Sequence, residues 1–440
     1  MRLDTTIDRA SPDSFLKPFA LYIHWPWCKA KCPYCDFNSH ASNIQENDYI
    51  DGLLREFQDW NEVRSIGGNK TAAFTPTTRR VASVFFGGGT PSLISSDKLA
   101  QVIDSCRKLG VIDGSTEITV ECNPTSFDEG RTAAAFFADL KAAGVNRVSI
   151  GIQGLKPEWL SFLGRTHRVE EALATLDAAQ KAFDNVNADI IYGLPQQTPD
   201  EWVQQLQTLA GRGLAHISAY QLTIEKNTHF YHDVKRGLWK PISSDIEADF
   251  FDVTRTTLGA NGYENYEISN FAKPGMACKH NTHVWQYGEY LGVGAGAHGR
   301  VTGINGRMIA TQVIRQPEGY LKRIASGHDP VSQAITLDMP EAVQEAVFSG
   351  LRLATGVDME LLSKRFGAGA CEEAISTPET LFLVNAGLLE YRNQYLALTT
   401  TGWPRLNGIL ERILRPLRPS PAHPSPAQNE YNRNVSVTIL

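Results

Sequence analysis

Six short apolar runs recur along the first half of this 440-residue chain, and stretches of helical spacing separate them. The runs span residues 21–24, 84–86, 118–121, 147–150, 188–191 and 216–221. Between them Tyr49, Leu53 and Phe57 share one helical face, as do Trp202, Leu206 and Leu209. Val169, Leu173 and Leu176 repeat the pattern in an Ala-rich stretch. A chain that returns through a helix re-enters a sheet from the same end, so strands spaced this way run parallel. The expectation is an α/β fold, a partial (β/α)6 TIM-like barrel, closed or nearly closed. In that architecture the chemistry gathers at the C-terminal ends of the strands.

The first of those ends carries Cys28-Lys-Ala-Lys-Cys32-Pro-Tyr-Cys35. Pro26 and Pro33 keep the stretch out of a helix, and only a loop can curl three sulfurs at spacings of four and three around one centre. Three thiolates can hold three corners of a four-iron, four-sulfur cube and leave the fourth iron open for chemistry. A structural zinc would need a fourth ligand, for which His24, His40 or Asp36 stands near in sequence. Zinc knuckles come as paired Cys-x-x-Cys units, however, and this chain has no second pair. Disulfides are disfavoured by the scarcity of Cys, 7 in 440. Cys106, Cys122, Cys278 and Cys371 are scattered and read as ordinary buried thiols, with Cys278 set apart by its nearness to His280.

Other strand ends add unusual residues. Phe85-Phe-Gly87-Gly88-Gly89-Thr90-Pro91-Ser92 offers a glycine loop that can lie against a ligand's amino and carboxylate groups. Glu121, Gln153, Arg165 within Leu163-Gly-Arg-Thr-His167, and Asp189 follow at the third, fourth and fifth ends. Each alone reads as an ion pair or a satisfied polar group, and their recurrence makes a ring of ligand contacts the better reading. Downstream, His280, His283 and His298 are candidate ligands for a metal or a tetrapyrrole iron.

Composition bounds the rest. Net charge is −6 with no basic block, which leaves a nucleic-acid groove without electrostatic support. No apolar run approaches the ~20 residues of a membrane span, and the first residues carry charges without an apolar core, so the expected place is the cytoplasm. Residues 1–17 read as a flexible N-terminus and 18–301 as the barrel with an extension. Residues 302–415 carry amphipathic segments at 341–353 and 359–366 and then a small hairpin, which reads as a mostly helical, winged-helix-like region. Residues 416–440 read as a disordered Pro-rich tail.

From about Ala20 to Leu414 the chain resembles the oxygen-independent coproporphyrinogen III oxidases of the radical S-adenosylmethionine superfamily. The likeness rests on residues 21–38 with their three Cys, the glycine loop at 87–92, residues 189–195 and residues 266–271. It implies that Cys28, Cys32 and Cys35 bind a [4Fe–4S] cluster whose open iron chelates S-adenosylmethionine, cleaved to a 5′-deoxyadenosyl radical. It further implies that Tyr22, Gly88, Gly89, Thr90, Glu121, Gln153, Arg165 and Asp189 hold S-adenosylmethionine. True oxidases continue the motif to a Cys two residues after the third, where this chain has Phe37, and carry a longer N-terminal arm. Both departures resemble the haem chaperone branch, whose members bind haem and deliver it to haem-requiring proteins such as respiratory enzymes. That branch shows His-Asn-x-x-Tyr-Trp, and here His280-Asn-Thr-His-Val284-Trp285 puts Val in place of Tyr. His280 is left to meet the haem. The competing implication is the oxidative decarboxylation of coproporphyrinogen III. Haem-accepting apoproteins are the implied partners, with homodimerisation and peripheral membrane association left open.

Overall fold

The computed structural model describes residues 17–61, 79–125, 127, 130–303, 306–375 and 377–414. The stretch 1–16 and the Pro-rich tail lie outside the described residues. Six parallel strands form in the expected places: β1 (Phe19–Trp25), β2 (Val81–Gly88), β3 (Glu117–Cys122), β4 (Arg147–Gln153), β5 (Asn185–Tyr192) and β6 (His216–Gln221). They pair in chain order, each parallel to the next. Helices cover one face. Tyr49, Leu53 and Phe57 are buried as their spacing requires, and Trp202, Leu206 and Leu209 likewise. On the helix Val169–Ala182 the buried face is Ala172, Thr175, Leu176 and Ala179, rotated from the Val169–Leu173–Leu176 stripe. Small side chains let that helix approach the sheet closely, and this packing outweighs the bulkier stripe.

The barrel is open. Beyond β6 the sheet ends in an antiparallel pair, β7 (Glu264–Glu267) and β8 (Asn270–Ala272). Beyond β1 it gains β9 (Glu289–Val293), parallel to β1, and then antiparallel β10 (His298–Thr302), β11 (Met308–Val313) and β12 (Val331–Thr336). The twelve strands form one sheet that runs on past residue 302, where the sequence reading set the start of the C-terminal region. All seven side chains of β1 are buried, since β1 has a neighbour on either side and helices against it.

Among the described residues five α-helices follow, Met339–Gly350, Met359–Phe366, Ala368–Ile375, Pro378–Asn385 and Leu406–Ile413, with a three-stranded sheet of β13 (Val357–Asp358), β14 (Leu389–Arg392) and β15 (Tyr395–Leu398). This region has its own apolar core around Val347, Leu351, Leu396 and Trp403, reaching back to Phe251 and Met308 of the barrel. Arg300 of β10 and Glu345 of the first of these helices meet in a two-pronged ion pair at 2.9 and 3.0 Å, and the Tyr287 hydroxyl donates to the same carboxylate at 2.8 Å. Among the described residues no helix is long and apolar enough to cross a membrane.

Candidate functional site

The loop after β1 is built to stay in place. Trp25, Trp27 and Tyr49 pack edge-on with ring centroids 4.9–5.6 Å apart. The Cys28 N–H donates to the His40 carbonyl at 3.1 Å, and Lys31 Nζ donates to the carbonyls of Phe37 and Ser39 at 3.3 and 3.0 Å. Asn38 Nδ2 reaches across to the carbonyls of Ala295 and Arg315, both at 2.9 Å. The glycine loop seats directly on this one. A Cβ on Gly89 would lie 2.4 Å from the Trp27 carbonyl oxygen, and one on Gly88 (φ +109°) would lie 2.5 Å from the His24 ring. Glycine is required here for close approach as well as for a left-handed backbone.

The glycine loop lines a cavity with its backbone donors already engaged. Its N–H groups are not offered to a ligand: Gly88 donates to Glu121 Oε2 (3.2 Å), Gly89 to the Trp25 carbonyl (2.6 Å) and Thr90 to the Trp27 carbonyl (2.8 Å). A ligand carboxylate therefore finds no donor among them. The glycines serve chiefly to fit the two loops together.

Two cavities meet at the cysteine loop. The inner one, about 500 Å³, is lined by Cys28, Cys32 and Cys35 together with Gly88, Gly89, Thr90, Glu121, Gln153, Arg165 and Asp189. Chain positions more than 150 residues apart thus converge as expected. The outer one, about 1070 Å³, shares Cys32, Cys35 and Phe37 and is walled by Tyr22, His280 and His298. Tyr22, expected beside the inner residues, lines only the outer cavity, where its hydroxyl donates to His24 Nδ1 at 3.1 Å. His24 Nε2–H donates in turn to the Asn38 carbonyl at 2.9 Å, so both ring nitrogens are engaged and His24 is withdrawn as a fourth metal ligand. His283 bonds the Glu289 carbonyl at 2.8 Å and lines neither cavity, which removes it from the candidates.

In the inner cavity Arg165 is the joint. It donates to Cys32 Sγ at 3.4 Å, to the Gly151 carbonyl at 2.9 Å and to Asn123 Oδ1. Gln153 holds φ +62° where the β4–β5 register slips. Burial, then the neighbouring Asp189 charge, holds Glu121 well above the usual carboxylate range, and burial raises Asp189 as well. A cationic ligand group near these carboxylates would offset that cost. Asp189 is itself fixed by Ser149 Oγ at 3.0 Å and Asn187 Nδ2 at 2.7 Å. Asn187 Oδ1 then accepts from His216 Nδ1 at 2.6 Å, leaving His216 Nε2 to accept from the Tyr266 hydroxyl at 2.8 Å.

Sequence reasoning missed Arg147, buried on the inner cavity with its Nε 3.9 Å from Glu117 Oε2. A charged residue opening an apolar strand was the available signal. Arg352 and Asn407 also reach this cavity from the C-terminal region, and no local pattern announces them. Cys106, Cys122, Cys278 and Cys371 are buried as expected, with Cys278 Sγ donating to Glu117 Oε1 at 3.3 Å.

Among the described residues no group of three or more His, Cys, Asp or Glu is arranged to hold a metal ion as it stands. The donor chemistry nevertheless fits an iron–sulfur cluster: three thiols on one loop, with a guanidinium against one sulfur that a thiolate or sulfide would strengthen. Burial pushes the Cys28 thiol up to about 11 and raises Cys35, and iron ligation would displace both protons.

Residues 22–209 match the radical SAM superfamily and residues 337–405 match the HemN C-terminal domain. The heme chaperone HemW of Escherichia coli (strain K12) is 36% identical over 405 residues, covering 91% of this chain and 99% of that protein. This chain belongs to the HemW-type radical SAM proteins. A mitochondrial radical S-adenosyl methionine domain-containing protein 1 of Mus musculus is also 36% identical, over 81% of this chain and 78% of its own. The coproporphyrinogen III oxidase HemN of Escherichia coli, a radical SAM enzyme, shares the fold at a TM-score of 0.73 and 20% identity, with 92% and 91% of the two chains covered. Radical SAM membership implies a [4Fe–4S] cluster and S-adenosylmethionine.

Proposed function

We propose that this protein binds haem in the outer cavity, carries a [4Fe–4S] cluster on Cys28, Cys32 and Cys35 with S-adenosylmethionine in the inner one, and passes haem to haem-requiring proteins such as respiratory enzymes. The observation that carries the reading is the pair of cavities on either side of one cysteine loop. The inner cavity has the carboxylates and cation that suit a small zwitterionic ligand. Gly88, Gly89 and Thr90 shape its wall, Glu121 and Asp189 answer its positive groups, and Arg165 and Gln153 hold the edge beside Cys32. Cluster and S-adenosylmethionine would together supply reductive cleavage of a carbon–sulfur bond.

The outer cavity is larger than an ordinary small-ligand pocket and combines imidazoles with the cations Lys31, Lys226 and Arg315. A flat dicarboxylate with a metal at its centre matches that lining. His280 stands on the wall with Nδ1 2.9 Å from Ser83 Oγ and its ring 4.9 Å from that of Phe85. A partner on one nitrogen fixes the tautomer that leaves Nε2 for iron. Val284, one turn further along the same helix, lines the cavity too and leaves room where the haem chaperone branch carries Tyr. The relatives named heme chaperone support the same reading.

Anaerobically reconstituted protein titrated with haemin is expected to develop a shifted Soret band. Absence of haem uptake would sink the proposal. Incubation with coproporphyrinogen III, S-adenosylmethionine and reductant tests the competing oxidase activity, and decarboxylated product would replace the chaperone reading.

A further inference from the structure

Besides His280, the outer cavity is lined by His24, His40, His229 and His298. The register places Phe85 of β2, Tyr22 of β1 and Gly292 of β9 level across three neighbouring strands. His280 lies over Phe85 at one end of this row. At the other end a Cβ on Gly292 would fall 2.0 Å from the His298 carbonyl oxygen. Only glycine there lets the first residue of β10 fold across the strand face, which carries His298 toward the same aromatic row. The segment that presents it is pinned. The Gly294 N–H donates to Glu56 at 3.0 Å, the Ala295 N–H to the Tyr49 hydroxyl at 2.8 Å, and Asn38 bonds the Ala295 carbonyl.

The His298 side chain makes no hydrogen bond among the described residues and is exposed to the cavity, while its backbone pairs with Gln312 of β11. Withdrawal from bulk water, then Arg300, Arg315 and His24, push its pKa down to about 4, so the ring is neutral near pH 7. A neutral imidazole with an uncommitted nitrogen, held on a fixed backbone across the same cavity from a second imidazole, is what a six-coordinate iron porphyrin requires. Resting on the haem-binding reading above, we infer that His298 is the second axial ligand of the haem iron, with His280 the first.

The test uses the full chain with its cluster reconstituted, titrated with haemin and separately with metal-free protoporphyrin IX. Wild type is expected to give a six-coordinate, low-spin spectrum with haemin. His298→Ala is expected to turn high-spin and to bind haemin at least tenfold more weakly, with free imidazole restoring the low-spin bands. His298→Gln, which keeps the bulk of the side chain, is expected to behave as the Ala variant does. Metal-free protoporphyrin should bind wild type and both variants alike. An unchanged haemin spectrum in His298→Ala, a high-spin wild type, or equal loss of haemin and metal-free porphyrin would overturn the assignment. A wild type that takes up no haemin would instead remove the haem-binding reading on which the assignment stands.

Discussion

Single residues in this protein act mainly by letting two loops touch. Gly89 shows this most sharply, since a methyl group there would meet the Trp27 carbonyl oxygen at 2.4 Å, and backbone cannot swing aside as a side chain can. Overpacking of this kind costs about 1–3 kcal/mol and displaces the neighbouring segment. Gly89→Ala should therefore retain its far-ultraviolet circular dichroism but lose most of its iron and acid-labile sulfide after anaerobic reconstitution, as measured by metal and sulfide analysis. Arg165 works by the opposite route, drawing Cys32, Gly151 and Asn123 together through one planar cation. Arg165→Gln should keep its iron yet bind S-adenosylmethionine at least tenfold more weakly in equilibrium dialysis. The sequence announced the residue types at this site through the cysteine spacing and the glycine run. It could not announce that the loop's N–H groups are already spent, because their partners, the carbonyls of Trp25 and Trp27 and the Glu121 carboxylate, are set by strand register.

At the scale of elements, the six barrel strands were legible because each is a buried run bounded by helical spacing. The open edges were not. β9 lies beside β1 although about 260 residues separate them, and the pairing depends on tertiary contact alone. The connection that secures this edge is Asn38, whose side-chain N–H groups tie the cysteine loop to Ala295 and Arg315. Asn38→Ala removes two hydrogen bonds worth about 0.5–1.5 kcal/mol each. Amide hydrogen exchange over residues 294–297 should accelerate in that variant while exchange in β3 to β5 stays unchanged. Uniform acceleration across all strands would show that Asn38 supports the fold as a whole rather than this junction.

For the whole molecule, buried carboxyls set the pH response. Glu56 is fully buried, and burial raises its pKa to about 7 despite the Tyr320 hydroxyl and Gly294 N–H that donate to it; Glu267 is raised to about 7 for the same first cause. The folded chain thus keeps protons that the unfolded chain releases near pH 4.5, so stability falls as pH rises from about 4.5 to about 7 and levels off above. Each group contributes on the order of 3 kcal/mol to that slope. Melting temperature should drop between pH 5 and pH 7.5 in wild type, and the drop should be smaller in Glu56→Gln, with Glu267, Glu121 and Asp189 carrying what remains. The C-terminal region is tied on by Arg300 and Glu345, a pair of 14% and 11% exposed side chains. Glu345→Ala leaves a buried guanidinium without its main counter-charge and should cost about 3–5 kcal/mol in denaturant unfolding. No stretch of sequence foretold that pair, since its members lie in different structural units. Cys32 and Cys35 stand on the walls of both chambers, so any change that loosens this one short segment would disturb the two together.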